Sequence, residues 1–370
     1  MTATAPADVA PLDKIDLRQL AEMEGPERAF LTLYVSSPEA LEQLDDRVER
    51  ARAFLQGEEA ELEHFEESLK MLHAWLDDKA PEEFEGLAVF TSWALGLHHG
   101  LVLPATVPDL LRVGTSPYVR PLAELQDEYE TFAVVAADNK ASRIFVVTAS
   151  TSEEEERVSG DVKNRVKKGG WSQKRYARRR ENQLHHYAKE VAERLGELRQ
   201  EHEFSSIVLL GSEETMHEIR EALPTELAEQ VIGERAVDVK EGVEELVDDA
   251  YEIYFDAIRE VDEELWGRIR EESLAGGLAV TGATRVLDAL RQGRVEALLM
   301  AEQAEIRGTR CHDCEHVVHG TPKTCQSCGS SDVFAIDLTE ELVRLAETTS
   351  ATTQFPDSIP ALEEVGGVAA

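Results

Sequence analysis

The sequence predicts a multidomain α/β (α+β) protein with three domains built on mixed sheets. Two observations support this prediction. Short apolar runs such as "FLTLYV", "FAVVAA", "IFVV" and "IVLLG" are typical of buried strands, and they alternate with longer segments of helical periodicity. In addition, 370 residues are too many for one ordinary hydrophobic core, whereas a hydrophobic content of 42% is enough to build several.

The composition excludes several classes of function. The chain carries 38 Lys and Arg against 74 Asp and Glu, and a net charge of −36 repels phosphate, which argues against general binding to nucleic acid or membranes. The apolar runs are much shorter than a membrane span, and "MTATAPADVA" lacks the features of a signal peptide. We therefore expect a cytoplasmic protein without membrane contact, and a monomer is the simplest expectation for its oligomeric state.

Residues 1–10 are expected to form a disordered tail, and the first domain is expected over 11–125. Within it, "FLTLYV" predicts a buried strand, and the charged segment from about Glu39 to Asp78 predicts two helices. "EGLAVFTS" and "LGLHHGLVLP" then predict two strands with Gly96 at the turn between them.

A middle domain is expected over 126–241. "TFAVVAADNKASRIFVVTAS" predicts two strands joined by a polar turn at 138–140, and the acidic run Glu153–Glu156 is interpreted as a solvated loop. A long helix is predicted from about Gln173 to Gln200, followed by the strand "SSIVLLGS" and the helix "EETMHEIREAL". The long helix has one apolar face with the required spacing of three and four, which comprises Leu184, Tyr187, Ala188, Val191, Leu195 and Leu198.

The third domain is expected over 242–348 and opens with a helix from about Gly242 to Glu272. "GLAVTGATRVLDALRQGRVEALLMAEQ" predicts a strand, a helix and a second strand, with an insert at 311–328. Residues 349–370 are expected to form a flexible tail.

All four cysteines lie in that insert, within "CHDCEHVVHGTPKTCQSC": Cys311, Cys314, Cys325 and Cys328. Two Cys-x-x-Cys pairs separated by ten residues are typical of a zinc ribbon, in which two tight turns meet around a tetrahedron of thiolates. Disulfides or free thiols fit a cytoplasmic chain poorly. Because four protein ligands leave no open position for a substrate, we expect a structural Zn²⁺ ion.

The segment "VKNRVKKGGWSQKRYARRR" is the exception to the acidic composition. From Lys163 to Arg180 it contains nine basic residues and no acidic one. Cations in the first turns of a helix oppose its dipole, and an anionic partner relieves that cost. A flexible, soluble loop is the alternative, but the charge contrast favours contact with RNA phosphates by Lys163, Arg165, Lys167, Lys168, Lys174, Arg175, Arg178, Arg179 and Arg180.

The tip of this segment has its own chemistry. Gly169 and Gly170 have no side chains, so the backbone there can enter a narrow space. Trp171 offers a ring that can stack on an unpaired base, or that can instead pack on its own domain. Ser172 is a reasonable N-cap, which would leave Gln173 at the first helical position.

With these residues identified, the chain resembles the archaeal and eukaryotic class-one peptide chain release factors. In their middle domain a Gly-Gly-Gln loop precedes a helix of similar pattern, here "KRYARRRENQLHHYAKEVAERL". The matching elements are Tyr176, Ala177, Arg178, Glu181, His186 and Tyr187. The neighbouring strands, the start of the third domain and the zinc-binding insert of the archaeal members are similar as well, so that the resemblance covers about 130–350.

The resemblance implies a ribosomal function. In that family the tip enters the peptidyl-transferase centre from the A site and helps to admit water to the peptidyl-tRNA ester, which would make Gly169, Gly170 and Gln173 the tip residues here. Two departures matter. Trp171 and Ser172 intervene before the glutamine, and the acidic region "RVERARAFLQGEEAELEHFEESLKMLH" lacks the Asn-Ile-Lys-Ser element that reads stop codons.

These departures favour a factor that binds ribosomal RNA in the A site without decoding, similar to Balon-like hibernation factors, which can arrive with elongation factor Tu, or to stalled-ribosome factors such as Pelota. A peptidyl-tRNA hydrolase that uses Gln173 to position water is the alternative. A nuclease is a third possibility, because a ribonuclease-H-like sheet, which we expect for the middle domain, can carry acidic metal sites. Asp138 is its sole candidate carboxylate, too few for two metals, and is interpreted as a turn residue.

Overall fold

The computed structural model describes residues 9–10, 15–26, 28–148, 152–159, 171–202, 204–240 and 242–370, with the backbone alone for 9–10, 152–159, 171–179 and 181. The chain forms two compact units. One comprises Met1–Glu128 together with Asp262–Ala370, and the other comprises Tyr129–Val261. The expected first and third domains therefore belong mainly to a single unit. The fold is a mixed α/β arrangement with several sheets, as predicted.

The first unit opens with a five-stranded sheet and its helices. In chain order the elements are β1 (Val9–Ala10), α1 (Leu17–Ala21), β2 (Phe30–Val35), a 3-10 helix (Pro38–Gln43), α2 (Leu44–Phe54), α3 (Glu59–Lys79), β3 (Gly86–Ser92), β4 (Leu97–Leu103), β5 (Leu110–Gly114) and α4 (Arg120–Glu128). The strand order is β1-β4-β3-β2-β5, with β1 parallel to β4 and the other neighbours antiparallel. The predicted strand–helix–helix–strand order is confirmed, but residues 9–10, which were expected in a disordered tail, pair with β4.

The burial of β2 and β3 explains why their sequences are continuous, mostly apolar runs. Every residue of β2 and β3 is buried, because both faces of the sheet are covered. On one face, Phe65 and Leu72 of α3 pack against Leu33 and Val89 of the two strands. The helix is seated closely on β4, since a Cβ atom at Gly100 would lie 2.0 Å from the ring of Trp75.

The second unit is built on one mixed sheet. Its elements are β6 (Phe132–Ala137), β7 (Ala141–Val147), β8 (Ser152–Ser159), α5 (Trp171–Glu201), β9 (Ser206–Gly211), α6 (Glu213–Ala222), α7 (Thr225–Ala228) and β10 (Val231–Ala236), followed by the long helix α8 (Val243–Ala275). The order is β10-β9-β6-β7-β8. The pairs β10–β9 and β9–β6 are parallel, whereas β6–β7 and β7–β8 are antiparallel.

This sheet has a separate core on each face, and alternate residues of β6 point into one or the other. Ala133 and Val135 lie in the core with α5 and α6. Phe132 and Val134 lie in the core with the first half of α8, where the ring of Phe132 stacks on that of Tyr254 with centroids 4.6 Å apart. The middle of the chain is thus a three-layer arrangement of helix, sheet and helix.

The acidic run Glu153–Glu156 was wrongly interpreted as a loop. It lies in β8, which pairs antiparallel with β7 through a register shift between Ile144 and Phe145. Among the described residues β8 has a strand on one side only, and a strand at the edge of a sheet can carry charged residues. Pairing with β7 thus outweighs the low strand propensity of glutamate.

The rest of the first unit comprises α9 (Ala283–Arg291), β11 (Ala297–Met300), β12 (Arg307–Cys311), β13 (Val317–His319), β14 (Val333–Asp337), α10 (Leu338–Thr349), β15 (Thr352–Gln354), α11 (Pro360–Glu364) and β16 (Val368–Ala369). Two three-stranded sheets form, with the orders β15-β11-β16 and β13-β12-β14. The strand predicted before α9 is reduced to a single bridge between Thr281 and Ala369.

The expectation of a flexible tail over 349–370 was wrong. β15 pairs parallel with β11 and β16 pairs antiparallel with it, so both neighbours of β11 come from this segment. Leu362, Val368 and Ala369 are fully buried. These strands are short and polar, so their own sequence pattern does not predict them, and pairing with β11 specifies them instead.

Among the described residues, no helix is long and apolar enough to cross a membrane.

Candidate functional site

The basic segment includes the first ten residues of α5, a helix of 31 residues. The helix begins at Trp171, two residues earlier than predicted, so that Gln173 is its third residue and not its first. Gly169 and Gly170 lie outside the described residues, as do four of the predicted phosphate contacts: Lys163, Arg165, Lys167 and Lys168. For Trp171, Gln173 and four of the predicted cationic residues the structure describes a helical backbone: Lys174, Arg175, Arg178 and Arg179.

The remainder of α5 is fixed to the sheet along one face, as its spacing predicts. All six predicted positions are buried: Leu184, Tyr187, Ala188, Val191, Leu195 and Leu198. They pack with the strands and with α6 in one core. Leu184, thirteen residues after Trp171, is the first of the described side chains of α5 to enter this core.

Arg180 is the one predicted phosphate contact whose side chain is described. Its Nη1 and Nη2 donate to the two carboxylate oxygens of Glu214, at the start of α6. Hydrogen bonding to that carboxylate raises the pKa of Arg180, and the side chain of Glu214 is 56% exposed. A phosphate would therefore have to displace a carboxylate at this position. The sequence offered no signal for Glu214, which lies 34 residues away in a different helix.

The candidate carboxylate of the nuclease interpretation is a turn residue, as predicted. Oδ1 of Asp138 accepts hydrogen bonds from the backbone N–H groups of Lys140 and Ala141, at 2.7 and 2.9 Å. It therefore closes the turn between β6 and β7. Nearby, burial raises the pKa of Tyr187, whose side chain is 4% exposed, so this tyrosine of the release-factor pattern serves the core as a neutral group.

The four cysteines meet at one point of the β13-β12-β14 sheet. Their sulfur atoms all lie within 4.8 Å of one another, with Cys311 and Cys328 at 3.6 Å and Cys314 and Cys325 at 3.5 Å. Four ligands at about 2.3 Å from a tetrahedral zinc ion would have edges of about 3.8 Å. The observed separations fit such an ion, and the cluster can hold a metal.

The backbone around the cysteines supports the same interpretation. The N–H of Cys311 donates to the carbonyl of His316, and the N–H of Cys325 donates to that of Ser330, so each Cys-x-x-Cys pair sits in a closed turn. Backbone hydrogen bonds from Cys328 and Ser327 lower the pKa of the Cys325 thiol to about 6. The pKa values of the Cys314 and Cys328 thiols are raised in the same cluster, where neighbouring thiols share hydrogen bonds, so Cys325 is the thiol that is deprotonated most readily.

Comparison with known proteins is consistent with this architecture. Residues 117–254 match the family described as Bacterial archaeo-eukaryotic release factor family 10. The chain is 28% identical over 214 residues to peptide chain release factor subunit 1 of Methanopyrus kandleri, covering 55% of this chain and 52% of that protein. It is 26% identical over 325 residues to the Thermococcus kodakarensis protein of the same name, covering 77% and 76%. The chain is thus similar to archaeal release factor subunit 1 proteins, and its match to the bacterial release-factor family is confined to residues 117–254.

Solved structures of release-factor relatives extend over nearly the whole chain at low similarity. A crystal structure of an archaeal translation termination factor covers 98% of each chain at 16% identity, with a TM-score of 0.28. The crystal structure of Archaeoglobus fulgidus Pelota covers 98% of this chain and 92% of that one at 13% identity, with a TM-score of 0.34. The family match over 117–254 includes the whole of α5 and the basic segment before it.

Proposed function

We propose that this release-factor relative binds the ribosomal A site, with the loop at Gly169 and Gly170 directed to the peptidyl-transferase centre. It would act on idle or stalled ribosomes as a hibernation or rescue factor without stop-codon decoding. The observation that carries the proposal is the run of nine basic residues, four before α5 and five within its first ten positions, in a chain of net charge −36 whose residues 117–254 match this release-factor family. A ribosomal role implies a cytoplasmic location.

The length of α5 supports the proposal mechanically. A helix of 31 residues is about 46 Å long, and the residues from Leu184 onward anchor it in the core. The backbone of the 13 residues before Leu184 continues the same helix, which would suit insertion of a tip into a narrow RNA-lined space. Positively charged side chains along this part would bind phosphates, and Trp171 would stack on a base.

A translational GTPase such as elongation factor Tu is the delivery partner we propose. The acidic α2–α3 region supports the absence of decoding, because the exposed residues at the start of α2 include Asp45 and Asp46 and those at the start of α3 include Glu59. Carboxylates in such numbers repel the phosphates of messenger RNA.

The test uses ribosomes that carry peptidyl-tRNA in the P site and an empty A site. Co-sedimentation measures binding of the full chain, and released peptide is measured in the same samples. We expect binding without release. Replacing Lys174, Arg175, Arg178 and Arg179 together by alanine should weaken binding by at least about 100-fold and reduce the slope of log K against log salt by about 3.

Lys189→Ala is the matched control, because Lys189 is exposed on the same helix, about 27 Å along it from Trp171. It should change affinity less than about twofold, and Trp171→Ala should weaken binding without causing release. Peptide release that disappears in Gln173→Ala would instead establish the hydrolase. If the wild type does not bind, or if the fourfold variant and Lys189→Ala bind alike, the proposal is wrong.

We also propose that Cys311, Cys314, Cys325 and Cys328 bind a structural Zn²⁺ ion. Purified chain should contain roughly one zinc ion, and Cys328→Ser should lose it. Ser327→Ala is the control, because the backbone N–H of Ser327 that donates to Cys325 Sγ is retained in alanine. Wild-type chain that neither contains zinc nor takes it up would contradict the assignment.

A further inference from the structure

A cavity of about 520 Å³ in the first unit has a composition that is unusual for this chain. It is bounded by α2, β5 and β14. Five arginines line it, although the chain as a whole has a net charge of −36: Arg28, Arg47, Arg50, Arg112 and Arg310. A volume of this size lies within the range of about 300–1,000 Å³ found for small-molecule sites.

One face of α2 is directed at the cavity. Arg47, Arg50 and Phe54 follow one another at spacings of three and four residues, so they lie on the same side of the helix, and all three line the cavity. A neighbouring face carries Leu44 and Val48, which lie in the core with α3 and the strands. α2 therefore has an apolar face that packs in the core and a second face, directed at the cavity, that carries guanidinium groups and a phenyl ring.

Three of the arginines are held in place by carboxylates. The guanidinium of Arg28 lies 2.8 Å from Glu61, and that of Arg310 lies 2.9 Å from Glu341. Arg47 lies 3.3 Å from Asp109 and donates to the carbonyl of Ala40, and its side chain is 9% exposed. These groups form a rigid wall whose charge is already balanced.

Arg50 and Arg112 differ from the other three. Both are exposed, and neither forms an ion pair with a carboxylate among the described residues. Arg112 lies over the ring of Tyr118, with its Cζ atom 5.3 Å from the ring centroid. Glu340 on the same wall is a weak counter-charge, since burial raises its pKa to about 8. The cavity therefore carries two guanidinium groups that an anion could pair with.

An aromatic surface accompanies these two arginines. Phe54 is 61% exposed, and the guanidinium of Arg28 covers one face of its ring at 4.8 Å. The Arg28 guanidinium also lies 4.3 Å from the ring centroid of Phe334, which fixes it in position. An exposed ring beside unpaired guanidinium groups can stack a base while the arginines hold phosphates.

We propose that this cavity binds a nucleoside diphosphate, with Arg50 and Arg112 on the phosphates and the base stacked on Phe54. The site is separate from the basic segment before α5 and does not rest on the proposed ribosomal function. Two unpaired arginines match two phosphate groups, and the planar guanidinium suits bidentate contact with each.

Isothermal titration calorimetry of the full chain without ribosomes tests this assignment. The probes are ADP, GDP, CDP and UDP, with adenosine and inorganic pyrophosphate as partial ligands. At least one nucleotide should bind saturably, adenosine should bind at least about tenfold more weakly than ADP, and pyrophosphate should also bind about tenfold more weakly because stacking is lost.

Arg50→Ala and Arg112→Ala should each weaken nucleotide binding by roughly tenfold or more. Arg52→Ala is the matched control. Arg52 lies on the same helix but does not line the cavity, and its Nε atom is paired with Glu66 at a distance of 2.6 Å. The proposal is overturned if none of the four nucleotides binds at about 1 mM, if pyrophosphate binds as tightly as the nucleotides, or if Arg50→Ala and Arg52→Ala have equal effects. Since no ribosome is present, failure here leaves the A-site test unaffected.

Discussion

Arg120 is the residue whose replacement tests our account of the first unit most directly. It opens α4, and its guanidinium donates four hydrogen bonds while its side chain is only 11% exposed. Nε donates to Glu124 at 2.7 Å, and Nη2 donates to the carbonyl of Glu302 at 2.6 Å. Nη1 donates to the carbonyl of Ala304 at 2.9 Å and to the hydroxyl of Thr339 at 2.7 Å. One side chain thus joins the two sequence segments of this unit.

The cost of Arg120→Ala follows from what the four acceptors lose. Glu302 is exposed, so water can replace the arginine there, and the Thr339 hydroxyl keeps its hydrogen bond to Asp337, but the carbonyl of the buried Ala304 would be left unsatisfied. Burial raises the pKa of Glu124, which means that its charged form is already costly. Without Arg120 this carboxylate would also lose the charge that opposes its own. At about 1–3 kcal/mol for each unsatisfied group, and with incomplete additivity, we expect the free energy of unfolding to fall by about 3–5 kcal/mol.

Urea unfolding of the full chain measures this loss. Trp75, Trp93 and Trp266 belong to the first unit, so tryptophan fluorescence reports mainly on it. Arg18→Ala is the control, because Arg18 also joins the two segments through Ser350, but its side chain is 53% exposed. That variant should lose less than about 1 kcal/mol. Equal losses for Arg120→Ala and Arg18→Ala would refute the reasoning.

Two further predictions concern stability. Burial, with Asp357 nearby, raises the pKa of Asp262 from 3.8 to about 6. Because the folded state holds this proton more tightly than the unfolded state, the stabilisation is complete below about pH 4 and is lost as the pH rises through 6. In urea unfolding, the wild type should lose about 2–3 kcal/mol of stability between about pH 4.5 and about pH 7.5, and Asp262→Asn should remove that loss. A variant with the same pH profile as the wild type would contradict the prediction. Leu195 is fully buried on the inner face of α5, so Leu195→Ala should cost about 3–4 kcal/mol in urea unfolding followed by circular dichroism, whereas the exposed Lys189→Ala should stay within about 0.5 kcal/mol.

The features that the sequence specified correctly are local ones. The apolar spacing of α5 predicted its buried face at all six positions, because 3.6 residues per turn bring neighbours three and four apart onto one side. The turn at Asp138 was equally readable, since its carboxylate bonds backbone groups two and three residues onward.

The four cysteines are an intermediate case. Their spacing predicted two turns that meet, and the sulfur atoms do lie within 4.8 Å of one another. The strands that bring the turns together, however, pair residues up to about 30 positions apart, as Arg307 does with Asp337. The sequence pattern identified the cluster, and the three-stranded sheet assembled it.

The tertiary structure alone decided the remaining features. Nothing in the local pattern of 349–370 shows that it supplies both neighbours of β11, and nothing in "EEEE" shows that β7 accepts it as a strand. The same holds for Arg180 with Glu214 and for the cavity between α2, β5 and β14. By itself the sequence determined helix faces, turns and a metal-binding spacing, because these depend on residues a few positions apart. Strand partners, ion pairs and cavities depend on residues brought together from distant parts of the chain, and they emerge only when the chain has folded.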